Sequence, residues 1–193
     1  MPDFEQTIFP SVGNVVFRKT KENFGGLSNM AGSYPVWVNR TRILTTEHLY
    51  QSCRFPHNPE VQTKILAEKS PMAAKMTSKP YRKLTREDWE TAKVEIMRWC
   101  LNLKLAQNWN TFRPLLLETG TKLIVEESPK DPFWGAKLHF NGVLFGQNML
   151  GKLLMELRER VQTEPEASLR TVNVPSLPDF LFLGQPVEAR KAA

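Results

Sequence analysis

Apolar and polar positions alternate in short bursts near the start of the chain and settle into helical spacing further on. Val15-Val16-Phe17 predicts a strand, and Tyr34-Pro35-Val36-Trp37-Val38 with Arg42-Ile43-Leu44 behind it predicts a hairpin. That hairpin feeds Thr46-Glu47-His48-Leu49-Tyr50-Gln51, a helical turn in which apolar Leu49 and Tyr50 stand beside polar side chains. Asn58-Pro59 and Ser70-Pro71 repeat one start signal, a capping side chain followed by proline at the first helical position, and each predicts a helix. Thr85 with Asp88 three positions later resembles a capping box and predicts a long helix on which Trp89, Ala92, Ile96, Trp99, Cys100 and Leu103 recur on one face. A further helix is expected from Phe112 to Glu118, with Pro114 early in it and Gly120 ending it, followed by a short buried strand at Leu123-Ile124-Val125-Glu126. The last helix runs from about Asn148 to Val161. Proline recurs between Thr163 and Ala193, which predicts a tail, with one docked strand at Phe180-Leu181-Phe182-Leu183. The pattern is that of an α-rich α+β protein, a single compact domain of several helices with a few short strands over residues 1–162, and a C-terminal tail over 163–193.

Composition narrows the class without naming a chemistry. A chain of 193 residues, 41% hydrophobic, can bury one substantial core. It has no run of eighteen apolar residues, and MPDFEQTIFP lacks a basic region followed by an apolar core, so neither a membrane helix nor a signal peptide is expected and a cytoplasmic location is the default. Cys53 and Cys100 lack metal-site spacing and sit in apolar helical contexts, which predicts reduced, structural thiols. A net charge of +6 leans toward an acidic partner, nucleic acid or a phosphate-bearing small molecule. The densest basic stretch, from Lys64 through Lys69, Lys75, Lys79, Arg82 and Lys83 to Arg86, runs straight into Glu87, Asp88 and Glu90, so a solvated surface accounts for it equally well.

Candidate chemistry gathers at a few points. Glu47 and Gln51 lie four residues apart and share a helix face, and polar groups beside an apolar stripe suit a pocket wall, although a plain solvated turn has the same composition. The loop Asn23-Phe24-Gly25-Gly26-Leu27-Ser28-Asn29 offers glycines and a route to cradling phosphate. Lys75 follows Ala73-Ala74, so its amine stands on a face with little bulk, where burial would make it nucleophilic; the plainer alternative is a surface lysine. Asp131-Pro132-Phe133-Trp134-Gly135 offers one carboxylate and two aromatic faces, able to clamp a base or sugar or simply to plug the domain. His57 and His139 have no partner at metal-ligand spacing, and no metal or cofactor is expected. Nucleophile-elbow, Walker and dinucleotide glycine motifs are absent, which argues against those hydrolases, phosphoryl transfer and dinucleotide oxidoreductases.

Taken in order, Phe24 to Asn29, Thr46 to Gln51, Pro71 to Lys75, Asp88-Trp89, Gln107-Asn108, Leu116 to Gly120, Asp131 to Gly135 and Gly146 to Gly151 resemble the blocks of the NADAR family, over roughly Val15 to Arg160. Departures from the commonest family pattern fall at Cys53-Arg54-Phe55, Met76-Thr77 and Leu105, and bear on substrate details. The resemblance implies an α-rich domain that handles ADP-ribose-like ligands and cleaves N-glycosidic bonds. Its two known activities are removal of ADP-ribose from guanine in nucleic acid, reversing a toxin's modification, and N-glycoside cleavage of early riboflavin-pathway intermediates. Basic charge tilts the expectation toward ADP-ribosylated DNA or RNA, with a cognate ADP-ribosyltransferase toxin as a partner. In that frame Glu47 shuttles protons, Lys75 is the nucleophile, Asp131 orients the ribose hydroxyls and Trp134 stacks on a ring. Gly25, Gly26 and Asn29 hold the diphosphate, with His48, Gln51, Phe133, Gly135 and Asn148 completing the substrate site. Two alternatives stay open: an ordinary glycosidase pair of Glu47 and Asp131, and a non-catalytic reader of ADP-ribose.

Overall fold

A computed structural model describes residues 7–191 of the chain. In chain order the strands and helices are β1 (Thr7–Pro10), β2 (Val15–Phe17), β3 (Val36–Val38), β4 (Thr41–Ile43), α1 (Thr46–Ser52), α2 (Pro59–Ala67), α3 (Pro71–Ser78) and α4 (Trp89–Gln107). There follow α5 (Trp109–Glu118), β5 (Ile124–Glu126), β6 (Ala136–Leu138), β7 (Val143–Gly146), α6 (Met149–Thr163), α7 (Glu166–Leu169), β8 (Thr171–Val172), β9 (Leu181–Phe182), β10 (Gln185–Pro186) and β11 (Arg190–Lys191). This is the α-rich α+β class expected from the sequence. The fold divides into two compact units, residues 1–28 with 111–164, and residues 29–110 with 165–193.

The first unit is organised around two strand pairings that join distant parts of the chain. β7 is the middle strand of an antiparallel sheet between β1 and β6, and β2 lies parallel to β5 with Val15 opposite Ile124. Phe9, Val125, Ala136 and Leu144 form its apolar centre. α6 packs on β5 so closely that a Cβ at Gly151 would stand 2.0 Å from the Ile124 carbonyl oxygen, so only glycine fits there. The strands β1, β6 and β7 escaped the sequence reading.

The second unit carries the hairpin β3–β4, closed by Asn39 and Arg40 with φ of 44° and 66°, the positive values that two-residue hairpin loops demand. α1 follows at once and packs on α2, α3 and α4. Ser70 caps α3 as expected, its hydroxyl accepting from the Ala73 N–H at 3.1 Å, whereas Asn58 makes no side-chain cap on α2. The expected capping box at Thr85 does not form. The Thr85 hydroxyl accepts instead from Arg54 Nε at 2.9 Å, the Asp88 carboxylate is gripped by Arg86, and α4 begins at Trp89. α5 starts at Trp109, earlier than expected, so Pro114 lies inside it.

The segment after Thr163 is docked onto the second unit by more than one strand. β8 pairs with β11 and β9 with β10, while Phe182 is fully buried and Phe180 meets Trp99 edge-on at 5.0 Å. Gln62 of α2 holds it by donating to the Leu181 carbonyl and accepting from the Leu183 N–H. The Asn39 amide does the same at the hairpin tip, donating to the Pro186 carbonyl and accepting from the Glu188 N–H. No described helix is long and apolar enough to cross a membrane.

Candidate active site

α1 is buried along its whole length, although five of its seven residues are polar. The helix is delivered by β4 and started by Thr45, whose hydroxyl accepts from the His48 N–H at 3.3 Å. His48 is fully buried, with Nδ1 2.7 Å from the Thr45 hydroxyl and Nε2 3.0 Å from the Glu68 carbonyl oxygen. The carbonyl can only accept, so Nε2 carries the proton and Nδ1 accepts from Thr45. Burial lowers the pKa of this ring, which therefore stays neutral as a pin between α1 and the end of α2. Both its nitrogens are engaged within the protein, which leaves the expected substrate role of His48 without a free polar atom.

Glu47, on the same turn, is 6% exposed. Gln51 donates through Nε2 to Glu47 Oε1 at 2.9 Å, and the far end of the same amide, Oε1, lies 2.8 Å from the hydroxyl of Ser78 on α3. The Ser78 hydroxyl also lies 2.8 Å from the Lys75 carbonyl oxygen, so α1 and α3 are tied together through this chain. Lys75 stands one helical turn before Ser78, on the same face; it is half-buried, and its amine has no hydrogen-bond or ion-pair partner among the described residues. Two oxygens beside α1 are likewise without donors, Asn29 Oδ1 and Thr46 Oγ1, both buried. Asn29 belongs to this region because its backbone carbonyl accepts from the Glu47 N–H at 3.0 Å. Buried acceptors without donors are what a bound hydroxyl or amide would satisfy. Glu47, Gln51, Lys75 and Asn29 were expected from the sequence; Thr46 and Ser78 were not, since lone hydroxyls carry no pattern.

Other titratable groups of this unit have structural reasons. The Cys100 thiol is pushed well above its usual pKa by burial, then by the Cys53 thiol beside it and by the Glu47 charge, so it is a neutral thiol, and both cysteines are free as expected. Lys104 is fully buried with its ammonium 4.8 Å from the centre of the Tyr34 ring, and burial brings its pKa down to about 7. Arg86, the last residue of the densest basic stretch, is buried and bidentate on Asp88, with a third bond to the Pro178 carbonyl, so it is not part of a solvated cationic face. A cavity of about 180 Å³ opens between Trp37, Arg40, Trp99, Leu103 and Val187, and none of the candidate residues lines it.

In the first unit the expected site residues form a different kind of structure. The glycine loop holds a 3-10 turn at Gly25–Leu27, and its left-handed residue is Phe24, with φ 62°, rather than a glycine. Gly25 is needed because a Cβ there would stand 2.4 Å from the Lys19 carbonyl oxygen. The N–H groups of Gly25, Leu27 and Ser28 already donate within the loop, to Glu22, Phe24 and Gly25. Asp131 accepts from the Trp134 N–H at 3.1 Å through Oδ1 and shapes the loop it opens. The carbonyls of Pro132, Phe133, Trp134 and Gly135 then receive the N–H groups of Gln147, Met149, Leu150 and Asn148, capping the start of α6. Asn148, at φ 50°, turns its whole amide onto β5, donating to the Ile124 carbonyl at 2.8 Å and accepting from the Glu126 N–H at 3.1 Å. Gly135 fits against Glu126 and Ser128, where a Cβ would clash, while Phe133 and Trp134 meet edge-on at 5.0 Å and stay half-exposed.

A buried acid with an amide partner, a serine that joins this amide to the helix bearing Lys75, and an α-rich α+β frame are the features to set beside known proteins. The chain belongs to the NADAR family: the NADAR domain pattern matches residues 16–162. It is similar to N-glycosidase YbiA of Escherichia coli (strain K12), 34% identical over 148 residues that cover 77% of this chain and 88% of that protein. It is also similar to Riboflavin biosynthesis protein VVA0006 of Vibrio vulnificus (strain YJ016), 35% identical over 77% of this chain and 38% of that longer protein. The solved NMR structure of Escherichia coli YbiA matches with a TM-score of 0.66 at 33% identity, covering 78% of this chain and 87% of that one.

Proposed function

We propose that the protein is an N-glycosidase in which Glu47 moves the protons and Lys75 is the nucleophile. The observation that carries the proposal is a carboxylate held almost wholly out of water on α1, joined through Gln51 and Ser78 to the helix that bears Lys75. The relative named an N-glycosidase supports the reaction class. The substrate placed first is a ribose joined through its anomeric carbon to the exocyclic amine of guanine. Protonation of the ring oxygen by Glu47, with push from the guanine nitrogen, breaks the bond between the anomeric carbon and that oxygen and leaves an imine. The Lys75 nitrogen adds to the imine carbon through its lone pair, and a proton passes from the lysine nitrogen to the guanine nitrogen by way of Glu47. The bond to guanine then breaks, its amine leaves intact, and the sugar stays as a protonated Schiff base on Lys75. Water, deprotonated by Glu47, adds to that carbon; Glu47 returns the proton to the lysine nitrogen, Lys75 departs as the amine while the new hydroxyl gives its proton to Glu47, and the aldehyde closes back to the ring.

ADP-ribosylated guanine in DNA or RNA is placed first on charge. Lys79, Arg82 and Lys83 are exposed on the turn Lys79–Leu84, which continues α3 directly beyond Ser78, a row of cations suited to the phosphates that flank a modified base. Early riboflavin-pathway intermediates are the second reading, favoured by the name of the Vibrio vulnificus relative. Incubating the protein separately with a guanine-ADP-ribosylated oligonucleotide and with riboflavin precursors decides the order. Release of ADP-ribose from the oligonucleotide is the expected result. Cleavage of the precursors alone would reverse the ranking, and cleavage of neither would overturn the N-glycosidase proposal for both substrates.

A further inference from the structure

A group that both gives and takes protons needs neighbours that suit two states. An ionised carboxylate only accepts hydrogen bonds, whereas the protonated acid must also place one donor, and in a buried site an unsatisfied partner destabilises whichever state it belongs to. The surroundings of Glu47 meet both demands. Gln51 presents an amide with a donor end and an acceptor end, one 2.9 Å from Glu47 and the other 2.8 Å from Ser78. The single Ser78 hydroxyl proton faces two carbonyl oxygens at equal distance, Gln51 Oε1 and the Lys75 backbone, each at 2.8 Å.

Two complete arrangements follow from these distances. With Glu47 ionised, the Gln51 N–H donates to the carboxylate and the Ser78 O–H donates to the Gln51 oxygen. With Glu47 protonated, the Gln51 amide turns over: the Glu47 O–H donates to the Gln51 oxygen, the Gln51 N–H donates to the Ser78 oxygen, and the Ser78 O–H turns to the Lys75 carbonyl. Only the amide and one hydroxyl rotate, and Gln51, Ser78 and the Glu47 oxygen that faces Gln51 are each bonded in both arrangements. We propose that Gln51 and Ser78 are positioning residues that form this reversible relay, holding Glu47 in place through both halves of a proton-transfer cycle. Gln51 thereby acts on Glu47 and not on the ligand. The proposal rests on Glu47 being the proton-transfer group.

The elements packed against α1 carry further ionisable groups. Cys100 on α4 feels the Glu47 charge and has Cys53 beside it, Lys75 stands half-buried on α3, and α4 also bears buried Lys104, half-buried Lys93, Glu95 and Arg98, and exposed Glu90. Glu60 and Lys64 on α2 and Arg42 on β4 are exposed.

The relay is tested first without substrate. The Glu47 side-chain carboxyl carbon is followed by NMR through a pH titration of the whole protein, its signal assigned by its loss in Glu47→Gln. A charge-assisted hydrogen bond favours the ionised form, so Gln51→Leu should raise the Glu47 midpoint by about 1 to 2 units. Gln51→Met, unbranched and of similar length, should do the same and serves if the leucine variant does not fold. Ser78→Ala should raise the midpoint by less, because the hydroxyl polarises the amide that donates to Glu47, and Ser78→Thr should restore it. In the wild type the Gln51 side-chain amide resonance should titrate with the Glu47 midpoint. Equal midpoints in all variants, or a Gln51 resonance indifferent to that titration, would overturn the relay. The acidic limb of the kcat/KM profile should move by the same amount as the NMR midpoint. Shifted midpoints with an unmoved limb would leave the relay standing and remove Glu47 from catalysis, so the two failures are told apart.

Discussion

Two polar segments of this protein look alike in sequence and differ in what their polar atoms do. Thr46 to Gln51 and Asp131 to Gly135 each combine an acidic residue with aromatic or apolar neighbours, and both belong to blocks that match the family. In the second segment every bond traced leads back to the backbone: Asp131 shapes the loop, the loop carbonyls cap α6, and Asn148 is bound at both ends to β5. In the first segment side chains address other side chains, Glu47 to Gln51 to Ser78, and acceptors at Asn29 and Thr46 are left open. Backbone capping makes a rigid wall. Side chains bonded to one another beside open acceptors leave polar groups for a ligand, and the proposed proton transfer at Glu47 draws on this difference.

The largest expected effect of breaking the wall is on stability. Asn148→Ala strands a buried carbonyl at Ile124 and a half-buried N–H at Glu126, each costing about 1 to 3 kcal/mol, so a loss of about 2 to 6 kcal/mol should appear in denaturant unfolding. Turnover per folded molecule should stay near normal. A large fall in turnover without loss of stability would move Asn148 into the site and blur the contrast.

A second effect sharpens what burial does to charge near α4. Lys104 titrates at about 7 in the folded chain against 10.5 as its ordinary value, so between these pH values the unfolded chain holds a proton that the folded one lacks. Stability must then rise with pH, by about 1.4 kcal/mol per unit from this group, and the full penalty applies below pH 7. Cys100, raised above its ordinary value, works in the opposite sense once unfolded thiols ionise, which sets the useful window at about pH 7 to 8.5. Wild type should gain about 2 kcal/mol across that window, and Lys104→Met should be flat across it and more stable at pH 7. Equal slopes in the two proteins would mean that Lys104 keeps its proton in the fold.

The smallest effect belongs to the half-buried ring of the wall. Trp134 is half-buried against Phe133, so Trp134→Ala should cost less stability than the loss of a core ring while weakening ligand binding by about 1 to 3 kcal/mol if the indole stacks on a ring. Calorimetric affinity beside thermal melting separates the two, and a collapse in melting temperature with unchanged affinity would return Trp134 to the core.

How far the sequence revealed all this follows from how local each signal is. Pro59 and Pro71 mark helix starts by their own backbone chemistry, and the face of α4 from Trp89 to Leu103 repeats at helical spacing, so both were legible. The hairpin and the buried turn at Glu47 were legible for the same reason. β1, β6 and β7 were not: Ile8, Leu138 and Phe145 point outward, the alternation is short, and β1 finds its partner across more than a hundred residues of chain. The Thr85 cap failed because Arg54 and Arg86, whose positions depend on tertiary packing, capture Thr85 and Asp88. Ser78 and Thr46 entered the site for a reason that no local pattern carries, since a hydroxyl becomes significant only through what faces it.

The measurement closest to the central claim compares turnover and folding in Glu47→Gln. The substitution keeps the shape of the side chain and removes its proton transfer, so on the N-glycoside that the wild type cleaves, kcat should fall at least about a hundredfold with the melting temperature nearly unchanged. Near-normal turnover in a folded Glu47→Gln protein would contradict the assignment of α1 as the seat of catalysis.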